Sequence, residues 1–155
     1  MERLTFDKLW ILHKLRHFES FGDMILFIHI ILLWCVLPLL LLLPLRHLLT
    51  ILTPLIPKNT AVPPAPVKIR QKQKIMHFTH YWCSRKIIAA RNTCLKTSLI
   101  LYYFMNRYHI PVRICIGVKK EDSELTGHSW IEDRVCIDQK DKNYNEFITI
   151  YSYPE

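Results

Sequence analysis

The spacing of apolar positions changes several times along this chain, and each change predicts a different kind of element. Residues 1–21 mix Leu4, Leu9, Trp10, Leu12, Leu15 and Phe18 with charges, the pattern of a short amphipathic surface helix. From Met24 to Leu45 there are 22 residues without Asp, Glu, Lys or Arg. As a helix rising about 1.5 Å per residue, that run could span a bilayer core. Pro38 and Pro44 interrupt it and His29 adds a polar group. Because proline removes a backbone donor and kinks or ends a helix, two short helices compete with the single span, lying against the rest of the fold or at a lipid interface. Five of the nine prolines fall between Pro54 and Pro66, which reads as an extended linker. The expected organisation is an apolar N-terminal region over 1–57, a linker over 58–67 and a folded domain over 68–155.

Within that domain, Ile69 to Arg91 places Met76, Cys83, Ile87 and Ala90 on one side at helical spacing, which predicts an amphipathic helix covering a sheet. Leu95 to Tyr108 is apolar on most faces, as a central buried helix would be. Val112, Ile114, Ile116 and Val118 then alternate with Arg113, Cys115 and Gly117 as a strand. Lys119 to Thr126 reads as a polar loop. Gly127 to Ile131 and Val135 to Asp138 are short alternating runs, and the three residues Glu132-Asp133-Arg134 between them predict a hairpin loop. Phe147 to Tyr153 supplies a further strand. Helices followed by antiparallel strands predict an α+β fold.

The hairpin bears on chemistry through side-chain parity. A three-residue loop sets Ile131 opposite Val135 and His128 opposite Asp138, on the face that also carries Trp130 and Cys136. A two-residue loop would move Asp138 to the other face. In the first register Asp138 can accept a hydrogen bond from one ring nitrogen of His128, leaving the other for a thiol. That thiol is Cys94, at the start of the predicted central helix with Asn92 or Thr93 as N-cap. A helix N-terminus and a nearby imidazole both favour a thiolate. A cysteine at a helix start and a histidine on a strand also occur where no catalysis does, so the three residues alone do not make an enzyme. Trp130 reads as core or as a lid over the imidazole, Gly117 as a point of close approach within a strand, and His77 and His80 as surface or packing residues.

Ordered motifs add to this. Thr93-Cys94-Leu95-Lys96-Thr97-Ser98-Leu99, Ile110-Pro111-Val112, Ile116-Gly117-Val118 and His128-Ser129-Trp130-Ile131-Glu132 together resemble the lasso-peptide leader peptidases, transglutaminase-like processing proteins. The resemblance covers roughly Ile75 to the C-terminus. It implies a papain- and transglutaminase-like core, in which a nucleophile helix packs on a small antiparallel sheet, and a cysteine peptidase with Cys94 as nucleophile, His128 as base and Asp138 as orienting acid. Where the family has His-Ala-Trp-Val-Glu this chain has Ser129 and Ile131. The turn after Glu132 lacks the family's Asp-Gly and looks shorter, so Asp141 and Asp133 stand as fallback acids. Stand-alone members often begin with an apolar helical region ending in a phrase like Leu43-Pro44-Leu45-Arg46, which favours packed or peripheral helices over a span.

The resemblance further implies a ribosomally made precursor peptide as substrate, cut between leader and core, and a separate ATP-dependent cyclase that acts next. The first 57 residues are too apolar to be the family's leader-recognition module, so a separate recognition protein is expected in trans. The runner-up enzyme class is acyl transfer or peptide ligation by the same thiol, and the non-enzyme alternative is a membrane-associated scaffold of a biosynthetic complex.

Charge refines the list of partners. The net +8 divides into +1 over residues 1–57, +13 over 58–120 and −6 over 121–155. The cation-rich stretch, with Lys68, Arg70, Lys72 and Lys74, fits an anionic membrane surface or an acidic peptide, or is a solvated basic face. No helix-turn-helix, RNP or zinc-finger pattern accompanies it, so nucleic acid is not expected. Cysteines at 35, 83, 94, 115 and 136 have no CxxC or paired spacing, so neither a disulfide framework nor a metal site is indicated, and no cofactor is expected. A free catalytic thiol fits a reducing, cytoplasmic setting. The apolar run starts too late and is too long for a secretory signal.

Overall fold

The computed structural model describes residues 20–54, 64–83, 94–121, 124–133 and 146–154. Helix α1 spans Phe21–Leu40. Ser20 caps it from extended backbone, its Oγ accepting from the Gly22 N–H at 3.2 Å, and Asp23 in the first turn complements the helix dipole. Pro38 lies inside α1 without breaking it, because a proline in the last turn removes only one of the final hydrogen bonds. The chain turns at Leu41–Leu43, and Pro44 caps α2, Leu45–Leu52. The apolar run is therefore one long and one short helix, divided at Pro44 alone.

Helix α3, Ala65–Cys83, begins inside the stretch read as linker. Its first turn contains Pro66, a position where a missing N–H costs nothing. Its buried residues are Ile75, Phe78, Thr79 and Cys83, while Met76 is exposed, so of the expected inward residues Cys83 is buried and Met76 is not. The predicted continuation to Arg91, with Ile87 and Ala90, lies outside the described residues. Nor does α3 chiefly cover the sheet: it packs on α4 and α1. It reaches β2 through the Lys72 Nζ to Asp133 Oδ2 ion pair at 2.9 Å.

Helix α4, Cys94–Arg107, is the predicted central helix, with Lys96 and Ser98–Tyr102 buried, then Phe104 and Met105. It ends in a Schellman turn. His109 takes the left-handed conformation at φ 59, its N–H reaches Asn106 O and the Ile110 N–H reaches Met105 O. Pro111 follows, and the chain enters β1, Val112–Glu121. β2 is Glu124–Asp133 and β3 is Ile148–Tyr153.

The three strands form an antiparallel sheet in the order β2-β1-β3. This corrects two expectations. The polar loop Lys119–Thr126 is largely strand, since Lys119 pairs with Thr126 and Glu121 with Glu124. Gly127 to Ile131 pairs with β1, and Glu132 and Asp133, expected in a loop, continue β2 opposite Arg113 and Val112. The strand over Val135 to Asp138 lies outside the described residues, as does the surface helix expected over most of residues 1–21.

One hydrophobic cluster joins the elements, running from Leu26, Ile30, Trp34 and Leu37 of α1 through Leu48 and Leu49 of α2 to Leu99, Ile100 and Phe104 of α4 and Ile114 of β1. Helices α1 to α3 pack against α4, and the sheet packs against it too. Tyr102 links both sides: its hydroxyl meets Oγ1 of Thr53, the C-cap of α2, at 2.9 Å, and its ring meets Tyr153 of β3 edge-on, centroids 6.1 Å apart.

Candidate active site

Cys94 is the first residue of α4 and is half-buried. Its backbone N–H belongs to the first helical turn, which has no intrahelical acceptor. Cys94, Ser98 and Tyr102 form one row along the helix at intervals of four residues. Tyr102 faces Tyr153 of β3, and Ser98 meets Ser129 of β2, Oγ to Oγ, at 3.3 Å in a buried hydrogen bond. The row therefore runs from β3 towards β2, with Cys94 one turn, about 6 Å, beyond Ser98. The chain positions the thiol by its helix and the imidazole by the strand that this helix touches.

His128 stands next to Ser129 on β2, so alternation roots its ring on the face turned away from α4. There it is half-buried and lies nearly parallel to Trp130, 15° between planes with centroids 6.2 Å apart. Phe147 is tilted against it at 5.3 Å. Trp130 is held in turn. Its Nε1–H donates to Glu132 Oε1 at 3.2 Å, and Glu132 pairs with Arg113 on the neighbouring strand, Nε at 2.8 Å and Nη2 at 2.7 Å from Oε2. Gly117, opposite His128 in register, makes room for the indole: a Cβ there would lie 2.8 Å from Trp130 Cη2 and 3.0 Å from Ile148 O. The close approach read from the sequence is real, and its partner is Trp130.

Electrostatics separate the thiols. Burial, and then Glu132 beside it, pushes the Cys115 thiol up to about 11. Burial also raises Cys83, against a hydrogen bond from Thr97 and the nearby Lys96 charge. Both are interior thiols kept protonated. For Glu132, burial pushes the carboxyl up, but hydrogen bonds from Arg113 and Trp130 outweigh it and hold the group below the usual glutamate value.

The expected acids fare differently. Asp138 and Asp141 lie outside the described residues. Asp133 ends β2, five residues from His128 and on the opposite face, at a strand distance of about 17 Å, and it pairs with Lys72; it is not placed to orient the imidazole. His77 and His80 are exposed. Among the described residues no three His, Cys, Asp or Glu side chains are grouped to hold a metal. Two contributors were missed by the sequence reading: the Ser98 to Ser129 contact, and the Arg113, Glu132 and Trp130 chain. The second was available in principle, since Trp130 and Glu132 share a face with His128 once β2 is read through to Asp133.

Residues 37–152 match the family model of the transglutaminase-like superfamily. The chain belongs to that superfamily, which includes cysteine peptidases and acyl transferases and is typically built on a cysteine nucleophile. No curated protein and no solved structure matches it.

Proposed function

We propose that this member of the transglutaminase-like superfamily is a cysteine peptidase that removes the leader from a ribosomally made lasso-peptide precursor. In this reading Cys94 is the nucleophile, His128 the base and Asp138 the acid that orients it. The hydrogen bond between Ser98 and Ser129 is the observation that supports it most, because it ties the helix that begins with Cys94 to the strand residue beside His128. The reading requires the His128 ring, rooted on the face of β2 turned away from α4, to meet the Cys94 thiol.

The Cys94 thiolate attacks the scissile carbonyl carbon, and the tetrahedral oxyanion is met by the Cys94 backbone N–H. The intermediate collapses to a thioester as the C–N bond breaks, and the imidazolium of His128 gives its proton to the departing core amine. His128 then takes a proton from water, whose hydroxide hydrolyses the thioester and frees the leader carboxylate. The freed core amine is the group that a separate ATP-dependent cyclase would join to a side-chain carboxylate, and a recognition protein supplied in trans would deliver the leader.

Incubation with a leader–core precursor and a recognition protein, followed by intact mass, tests the reading. Loss of the leader with the native chain and not with Cys94→Ala is expected, with Asp138→Asn strongly slowed. An adduct of an added amine in place of water would assign acyl transfer instead. Absence of both products with demonstrated leader delivery would leave the scaffold reading.

A further inference from the structure

Helix α1 is apolar on the side that none of the described residues covers. Its inward row is Asp23, Leu26, Ile30, Trp34 and Leu37. On the opposite side Phe21, Ile25, Ile28, Leu32, Val36 and Leu39 recur every three or four residues, all exposed. The stripe continues into the turn, where Leu42 is 81% exposed. A surface helix in water carries polar residues there, and a contiguous apolar surface of this length marks an interaction site.

Charge identifies what would cover it. Between Asp23 and Glu121 the sequence has no acidic residue and fourteen Lys and Arg. Arg46 and His47 are exposed on α2 together with Ile51, on the side away from buried Leu48, Leu49 and Leu52, just beyond the C-terminal end of the stripe. At the other end Lys74 pairs with Asp23 at 2.8 Å, Phe78 meets Phe27 at 5.6 Å and Trp82 meets Trp34 at 6.1 Å. Helix α3 thus runs alongside α1 in the same direction, and its earlier residues, including Lys68 and Arg70, project beyond the start of α1. Cations bracket an apolar stripe at both ends.

We propose that this surface seats the protein on a bilayer with anionic headgroups, α1 lying in the membrane plane with its outer stripe among the acyl chains and the cations at headgroup level. α1 is long and apolar enough to cross a membrane by length and composition, but its inner face is bound to α3 from Asp23 to Trp34. A crossing orientation would carry Lys72, Gln73, Lys74, His77 and His80 into hydrocarbon. The in-plane seat leaves those groups in water or among headgroups. It does not depend on the catalytic reading.

Flotation of the full chain with vesicles of phosphatidylcholine and phosphatidylglycerol tests it, against phosphatidylcholine alone. Flotation with the anionic vesicles, reduced severalfold by high salt and released by alkaline carbonate, is expected. Leu32→Glu/Leu39→Glu should abolish it at unchanged circular dichroism. Should that variant fold poorly, Arg46→Glu/Arg70→Glu provides the second reading, with binding to anionic vesicles lost severalfold. Retention after carbonate would mean a spanning helix and overturn the proposal. So would absence of flotation with either vesicle, whether light scattering then shows a dimer that Leu32→Glu/Leu39→Glu dissociates or a monomer.

Discussion

The face of the sheet that meets α4 and the face turned away from it are held by different forces. Towards α4 stand Val112 and Ile114 of β1, Ile131 of β2 and Tyr151 and Tyr153 of β3, in or against the main core, with Ser129 bonded to Ser98 among them. On the far face Arg113, Cys115 and Gly117 of β1 lie opposite Glu132, Trp130 and His128 of β2, joined by an ion pair, an indole hydrogen bond and ring contacts. A slip of one residue would exchange the two sets. Apolar burial on the first face therefore fixes the register, and the register places the imidazole and its neighbours on the second. Substitutions on the α4 face should act first on stability, and those on the far face first on the proposed chemistry.

The largest separation is expected from Ile114→Ala. Ile114 is fully buried between β1 and α4, and truncation of such a side chain costs about 2–5 kcal/mol, part lost transfer and part residual cavity. Urea unfolding at neutral pH measures it. A loss under about 1 kcal/mol would mean that this face does not set the register.

A smaller effect tests a buried polar contact that joins α4 to β2. Ser129→Ala alone leaves Ser98 Oγ without its partner and should cost about 1–2 kcal/mol. Adding Ser98→Ala removes the orphaned group, so the double variant should recover most of that loss, and the cycle should give a coupling of at least about 0.5 kcal/mol. Strict additivity would show that the two hydroxyls do not depend on each other.

Much of the first face was legible in the sequence, and less of the second. The alternation at Val112, Ile114, Ile116 and Val118 gave β1 because one side of it is apolar, and the dense apolar pattern after Cys94 gave α4 because the helix is covered on nearly all sides. The Lys119 to Thr126 segment misled because strand ends beyond the core carry polar side chains: Leu125 and Thr126 are exposed although paired. Glu132 and Asp133 were read as turn because charged residues rarely sit in strands, yet each has a cation partner on a neighbouring element, Arg113 and Lys72. On α3 the expected face holds at Cys83, which is buried, but not at Met76, which is exposed while its neighbour Ile75 is buried. In the candidate site, the positions of Cys94 and His128 followed from local pattern. The Ser98 to Ser129 contact, which connects their elements, depends on how α4 crosses the sheet and has no local signal.

Glu132→Gln sharpens the comparison with the smallest stability effect and a distinct pH signature. Because Arg113 and Trp130 hold the folded carboxyl below the usual value of 4.5, the folded state favours its ionised form. Its contribution is therefore fully present above the unfolded value and is lost as pH falls through the lower folded value. The carboxylate is about a third exposed, so solvent screening limits the pair to less than about 1 kcal/mol. At pH 7 Glu132→Gln should lower stability by less than that amount, and below about pH 4.5 the difference from the native chain should shrink towards zero. Urea midpoints between pH 3 and 7 follow this directly. The same substitution leaves an acceptor for the Trp130 N–H but removes the charge that fixes it against Arg113. Trp130 should loosen against His128, and kcat/KM for leader removal should fall severalfold while stability barely moves. A parallel loss of stability and activity, with no pH dependence in the stability difference, would mean that Glu132 acts as ordinary structural support and that the two faces do not divide their roles.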